Sequence, residues 1–263
     1  MDLGLSGKVA IVTGGSRGIG LATAQRLQLE GARVAICGRD PQRLAQAHDL
    51  LSERGEDVLA MPCDTTQAEQ RHAFVQSVLN RFGQLDILVN NAGTHIRGDI
   101  DTMTDDHLRR QLEDKVFGFF GMIREVLPSM RARREGRIVN IIGQATRHPH
   151  PDRMPSGITN AASSAMTKSV ADALARDNIR VNAVCPQYVE TEIISHLITK
   201  EMRERGVTHQ EAASGFTRAN VLGRLGQPEE IADLVAYLVS DRADYVTGSS
   251  VSIDGGYGRY IFG

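Results

Sequence analysis

Eight residues, Thr13-Gly14-Gly15-Ser16-Arg17-Gly18-Ile19-Gly20, constrain this chain more than any others. An apolar run from Val9 to Val12 precedes them and reads as a buried strand. Leu21 to Leu29 follows with the spacing of an amphipathic helix. A glycine-rich turn between a strand and a helix lets the backbone turn tightly and lets phosphates approach the helix N-terminus, where free N–H groups and the helix dipole favour anions. The spacing is T-G-x-x-x-G-x-G rather than G-x-G-x-x-G, and a glycine-rich turn alone is also an ordinary tight turn. The strand before it, the helix after it and its N-terminal position favour a dinucleotide cradle, with Gly14, Ser16, Arg17, Gly18, Ile19 and Gly20 as its contacts.

The chain has 263 residues, enough for one large α/β domain with a full core. A net charge of −2 with a pI near 6.5 gives no general case for nucleic acid or an anionic membrane as partner. Cys37, Cys63 and Cys185 lack metal-like spacing, and each falls near the end of a predicted strand. They read as buried free thiols in a reducing compartment. No apolar run approaches the ~20 residues of a membrane span, so the expectation is a soluble, cytoplasmic protein.

Apolar runs and helical patterns alternate along the chain. Strands are predicted at 9–12, 31–37, 58–61, 85–89, 137–142, 179–184 and 249–253. Asp40 caps a helix that begins at Pro41. Further helices are predicted at 67–82, 104–133, within 158–176 and at 228–239, with Pro128 bending the long one or ending its first part. Such alternation implies a doubly wound parallel sheet covered by helices on both faces, with ligands at the C-terminal strand ends.

Arg39 lies just past the second strand, where an adenosine ribose would reach. An acid there bonds the 2′-hydroxyl, whereas a base accommodates a 2′-phosphate. The strand end reads Cys37-Gly38-Arg39 without an acid before Asp40, and Arg17 adds a second guanidinium. These point to NADP(H); two solvated surface arginines are the plainer reading. Asp64 could accept from the adenine amino group or serve as a turn residue.

The chain resembles the short-chain dehydrogenase/reductases over essentially all its length. The resemblance rests on Thr13-Gly14-x-x-x-Gly18-x-Gly20, Asp64, Asn90-Asn91-Ala92-Gly93, Arg180-Val181-Asn182, Pro186 with Thr191, Val246-Thr247-Gly248 and Asp254-Gly255-Gly256. It implies a single Rossmann-like domain of about seven parallel strands spanning residues 1–263. It also implies a small-molecule substrate and a homotetramer or homodimer. Asn91, Ala92 and Gly93 would lie near the cofactor, and Thr191 near the nicotinamide amide. Residues 192–223 would fold over the pocket as a lid.

The family's catalytic pattern departs here at four places. Its Asn in the long helix, placed by Gly118 and Phe120, corresponds to Lys115. Its Ser, three residues after the Asn of Val139-Asn140, corresponds to Gly143. Its Tyr-x-x-x-Lys, counted back from Asn182, corresponds to Ser156 and Asn160. Ser164 and Lys168 repeat the four-residue spacing, but a shift of eight residues moves a side chain ~12 Å along a helix and roughly 80° around it, out of the site. One amine and one amide are therefore kept with their places exchanged. Two readings stand: a relocated acid–base group at Lys115, supported by Ser156 and Asn160, or an NADP(H)-binding protein without turnover. Non-redox chemistry in the same cleft is a third. In 147–153, His148, His150 and Asp152 could supply a proton near neutral pH, or be exposed loop polars. The His-x-His pair lacks a third metal ligand at suitable spacing.

Overall fold

In the computed structural model, residues 1–53 and 57–259 are described. Seven parallel strands form one sheet in the order β3-β2-β1-β4-β5-β6-β7. They are β1 (Val9–Thr13), β2 (Arg33–Gly38), β3 (Val58–Pro62), β4 (Ile87–Asn90), β5 (Gly136–Ile141), β6 (Ile179–Pro186) and β7 (Ser250–Ile253). The chain winds from β1 outward to β3, returns to β4, and winds the other way to β7. The crevice at that reversal, beyond the ends of β1 and β4, is where open sheets of this kind receive ligands. The expected single α/β sheet of seven strands is thus present, with boundaries moved by one or two residues.

Side-chain alternation along the strands builds a core on each face. Ala10 and Val12 pack with Leu27 of α1 (Gly18–Leu29), Leu44 of α2 (Pro41–Ser52) and Val235 of α9 (Pro228–Val239). Val9 and Ile11 point the other way. They join Phe74 of α3 (Ala68–Phe82), Met122 of α5 (Gly118–Arg133) and Ala171 of α6 (Met154–Leu174). Helix ends follow local chemistry. Asp40 Oδ1 accepts from the backbone N–H groups of Gln42 and Arg43 at 3.0 and 3.2 Å, with Pro41 opening α2.

The expected long helix at 104–133 divides differently. The α4 segment Asp105–Gln111 passes into a π-helical turn, Leu112–Phe117, before α5 begins. Pro128 sits inside α5 without ending it, and the irregularity comes earlier, at the π-helical segment that carries Lys115. The α6 helix starts at Met154, earlier than the pattern indicated, which places Ser156 in its first turn.

The Arg180-Val181-Asn182 motif is a brace. The Arg180 guanidinium donates to the carbonyls of Leu238, Ser240 and Val246, and Asn182 donates to Val246 O at 2.8 Å. These bonds tie β6 to the end of α9 and to the turn before β7. Helices α7 (Glu192–Arg205) and α8 (His209–Thr217) form a satellite with its own small core of Ile194, Ile198, Ala212 and Phe216.

Candidate active site

The glycine-rich turn is shaped for close backbone approach. Gly14 and Gly18 have φ of +63° and +52°, conformations that glycine adopts without penalty. A Cβ on Gly20 would lie 2.2 Å from Gly14 O and 2.5 Å from Asn91 Nδ2. Gly20 is buried behind the turn, and its missing side chain lets α1 sit against the ends of β1 and β4. Asn91 closes the gap by donating from Nδ2 to Thr13 O and Gly14 O, each at 3.1 Å. Thr13 Oγ1 accepts from the backbone N–H groups of Asn91 and Ala92 at 2.9 and 3.0 Å.

In front of this turn opens a cleft of about 470 Å³. Gly14, Ser16, Arg17, Gly18, Ile19, Arg39, Asp64, Asn91, Ala92, Gly93 and Thr191 all line it. Together with the N-terminus of α1, the cradle fits a dinucleotide: any Cβ at Gly20 would push the turn outward into the space a pyrophosphate needs. Arg43 also lines the cleft and was not anticipated from the sequence. Glu192, at the start of α7, bridges Arg17 at 2.5 Å and Arg43 at 2.6 Å, and the two guanidinium groups hold its carboxyl below the usual range. Asp64 Oδ1 accepts from Thr66 N and Oγ1, so the turn role of this residue is realised while it lines the cleft.

A second pocket of about 250 Å³ continues from the first. Ile19, Asn91, Ala92, Gly93, Thr191 and Ile193 border both. Lys115 lines it, together with His95, Arg97, Arg153 and Tyr188. The Lys115 amine donates to Ile142 O at 2.7 Å, and loss of water lowers it to about 8. Neighbouring Asp114 turns elsewhere: it accepts from Thr94 Oγ1 at 2.6 Å and lies 3.8 Å from an Arg39 nitrogen. Asn160 is buried one backbone position away from the Lys115 contact. Its Nδ2 would be 3.0 Å from a Cβ on Gly143, and its Oδ1 has no hydrogen-bond partner among the described residues. Gly143 itself has φ +142°, a glycine conformation.

Ser156 is buried beneath His95. Its Oγ lies 3.2 Å from His95 Nδ1, and Gln111 Nε2 donates to it at 3.2 Å. His148 is drawn to the C-terminal segment instead. Its ring meets Tyr257 edge-on at 5.4 Å, and its Nε2 accepts from Arg259 N at 3.2 Å. From its loop it is Arg153 that reaches the pocket, with its guanidinium over the Tyr188 ring at 5.4 Å. His150 pairs with Asp152 on the surface. Lys168 is exposed and pairs with Asp172, consistent with a helix-surface lysine. His95 and Gln111 carried no signal in the sequence, because contacts to Ser156 across 61 and 45 residues bring them to the site.

Residues 14–258 match the family described as enoyl-(acyl carrier protein) reductase. Dehydrogenase/reductase SDR family member 4 of Oryctolagus cuniculus is 34% identical, over 96% of this chain and 94% of its own. This chain belongs to the short-chain dehydrogenase/reductase family. Among solved members, L-sorbose reductase from Gluconobacter frateurii, complexed with NADPH and L-sorbose, superposes with a TM-score of 0.95 at 33% identity, covering 99% of this chain and 100% of that one. A variant of actinorhodin polyketide ketoreductase with NADPH gives 0.92 at 34% identity, over 96% and 98%. The short-chain dehydrogenase/reductase fold therefore accounts for the whole described chain. Among the described residues, no helix is long and apolar enough to cross a membrane.

Proposed function

We propose that this chain is an NADP(H)-dependent oxidoreductase acting on a small carbonyl compound or the corresponding alcohol, with an atypical acid–base group at Lys115. One observation carries the reading: a lysine amine, desolvated to about 8, lines the pocket that opens from the dinucleotide cleft. Related proteins solved with NADPH support the cofactor, and Arg17, Arg39 and Arg43 on the cleft wall suit a 2′-phosphate. The dinucleotide, when bound, supplies hydride chemistry.

The chain's own residues supply the proton and the positioning. Protonated Lys115 gives a proton to the oxygen of a carbonyl being reduced, and the neutral amine accepts it in the oxidative direction. A group lowered to about 8 is present in both forms near neutral pH. The Ile142 carbonyl orients the amine, and Asn160 packs against Gly143 at the same strand end. In this reading four positions of the family pattern have changed, at Lys115, Gly143, Ser156 and Asn160. Ser156 acts from behind the pocket wall. His148 contributes by holding Tyr257, whose ring meets Tyr188 at 5.9 Å. Helices α7 and α8 form the lid, with Ile194 and Leu197 on the pocket wall.

The test follows NADPH oxidation against a panel of small ketones and ketoses that includes L-sorbose, in the wild type and in Lys115→Met. Turnover lost in a folded, NADPH-binding variant supports the assignment. Unchanged turnover sinks it. A wild type that binds NADPH and oxidises none of it on any panel member would favour a sensing role, in which the Lys115–Ile142 bond is purely structural.

A further inference from the structure

A chain of hydrogen bonds beside the pocket has a direction that backbone chemistry dictates as far as Ser156. The N–H of Ile96 donates to Gln111 Oε1 at 2.9 Å. A backbone amide can only donate, so that oxygen is the acceptor and the other end of the Gln111 amide is NH₂. This NH₂ donates to Ser156 Oγ at 3.2 Å and Thr159 Oγ1 at 3.4 Å. Thr159 in turn gives its own proton to Pro155 O at 3.0 Å. Ser156 Oγ therefore accepts from Gln111, which leaves its hydroxyl proton available to His95 Nδ1 at 3.2 Å. With the Ser156 proton in that bond, Nδ1 accepts and the neutral ring bears its proton on Nε2, which is the arrangement proposed below.

The surroundings oppose the alternative, a doubly protonated ring. Loss of water, then Arg97, Lys115 and Arg153, drive His95 down to about 4, with Asp152 the opposing charge. His95 lines the pocket and is itself exposed, so its loss of water is partial, and the three cations act there even where water remains.

We propose that His95 is a catalytic hydrogen-bond donor of this pocket: neutral, with Nε2–H offered to the carbonyl oxygen of the substrate, and with Ser156 and Gln111 as the positioning residues that fix its tautomer. The substrate part rests on the reductase reading above; the tautomer does not. In this arrangement Ser156 never touches substrate. Its short side chain leaves room for an imidazole, and its hydroxyl selects which imidazole nitrogen faces the reaction. A neutral imidazole polarises a carbonyl by hydrogen bonding without surrendering its proton. The proton that completes reduction comes from Lys115.

The experiment is a long-range ¹H–¹⁵N spectrum of protein labelled with ¹⁵N-histidine and saturated with NADP⁺, with His95→Gln identifying the resonance. At pH 7 the His95 Nε2 is expected at a pyrrole-type shift and Nδ1 at a pyridine-type shift, and the pattern should persist to about pH 5, since the group titrates near 4. Ser156→Ala should release the ring into a mixture of tautomers, and Ser156→Thr, which keeps the hydroxyl, should retain the single one. A protonated Nδ1, a cationic ring at pH 6, or no response to Ser156→Ala would overturn the proposal. On the panel ketone that the wild type reduces fastest, His95→Ala should lower kcat at least about tenfold, ~1.4 kcal/mol. His95→Gln, which keeps an N–H donor, should retain more of it. Equal rates in all three proteins also overturn the catalytic role. If the wild type reduces no panel member, the reductase reading and with it the catalytic role fail, while the spectrum still decides the tautomer.

Discussion

Lys115 shows how a single side chain can cost stability at the place where chemistry is proposed. Its amine falls from 10.5 to about 8 because burial removes water that the one bond to Ile142 O replaces only in part. That difference corresponds to about 3 kcal/mol. Between pH 8 and 10.5 the unfolded chain binds the proton that the folded chain has lost, so stability should rise with pH across that window. Below pH 8 the cost is present in full. Lys115→Met should abolish the rise. At pH 7 it should stabilise the fold by about 1–2 kcal/mol after loss of the hydrogen bond, or roughly 2–6 °C in Tm. Thermal melts at pH 7 and pH 10 check both signs. Arg39 is exposed on the cleft wall, at most loosely tied to Asp114. Arg39→Ala should weaken NADPH binding about tenfold and leave NADH binding unchanged, read by titrating both. The glycine turn, Arg39 and Lys115 were all legible in the sequence, because their meaning depends on near neighbours or on a motif register. His95 was not, since its proposed role rests on contacts with Ser156 and, through it, Gln111.

Secondary-structure elements place these groups, and two of them resisted the sequence. The stretch 104–133 has continuous helical spacing, yet six residues wind as a π-helical turn carrying Asp114 and Lys115. A wider turn rotates the following helix relative to the preceding one, a distortion found often at functional sites. Spacing alone cannot announce it, because the stabilising contacts, Thr94 to Asp114 and Lys115 to Ile142, come from the segments that follow β4 and β5. At the end of β5, Gly143 adopts φ +142°, and a side chain there would also crowd Asn160. Gly143→Ser should therefore cost about 1–3 kcal/mol in a denaturation series rather than restore a hydroxyl to the site at no penalty. Gly20→Ala forces backbone apart at the cradle, where a Cβ would meet Gly14 O at 2.2 Å. We expect it to weaken NADPH binding by more than Lys115→Met does, measured by the same titration.

For the assembled protein, the family resemblance leads us to propose a symmetric homo-oligomer, the common arrangement among soluble proteins. Phe117 and Phe120, 55% and 45% exposed where the π-helical turn meets α5, give that surface an apolar face suited to helix pairing. Sedimentation at micromolar concentration should show a dimer or tetramer, and Phe120→Asp should shift it toward monomer. A wild type that sediments only as monomer would remove the proposal.

Strand and helix alternation, the parallel sheet and the cradle follow from local patterns: hydrophobic period, glycine spacing and helix caps act over a few residues and survive reading in one dimension. The pairing of Arg17 and Arg43 through Glu192, the desolvated Lys115 amine and the directed chain from Ile96 to His95 do not. Each depends on groups between 15 and 175 residues apart being brought to hydrogen-bonding distance, and Lys115 also on being brought out of water. Only closure of the sheet and its helices around the β1–β4 crevice supplies that low-dielectric setting, and with it the protonation states on which the proposed chemistry rests.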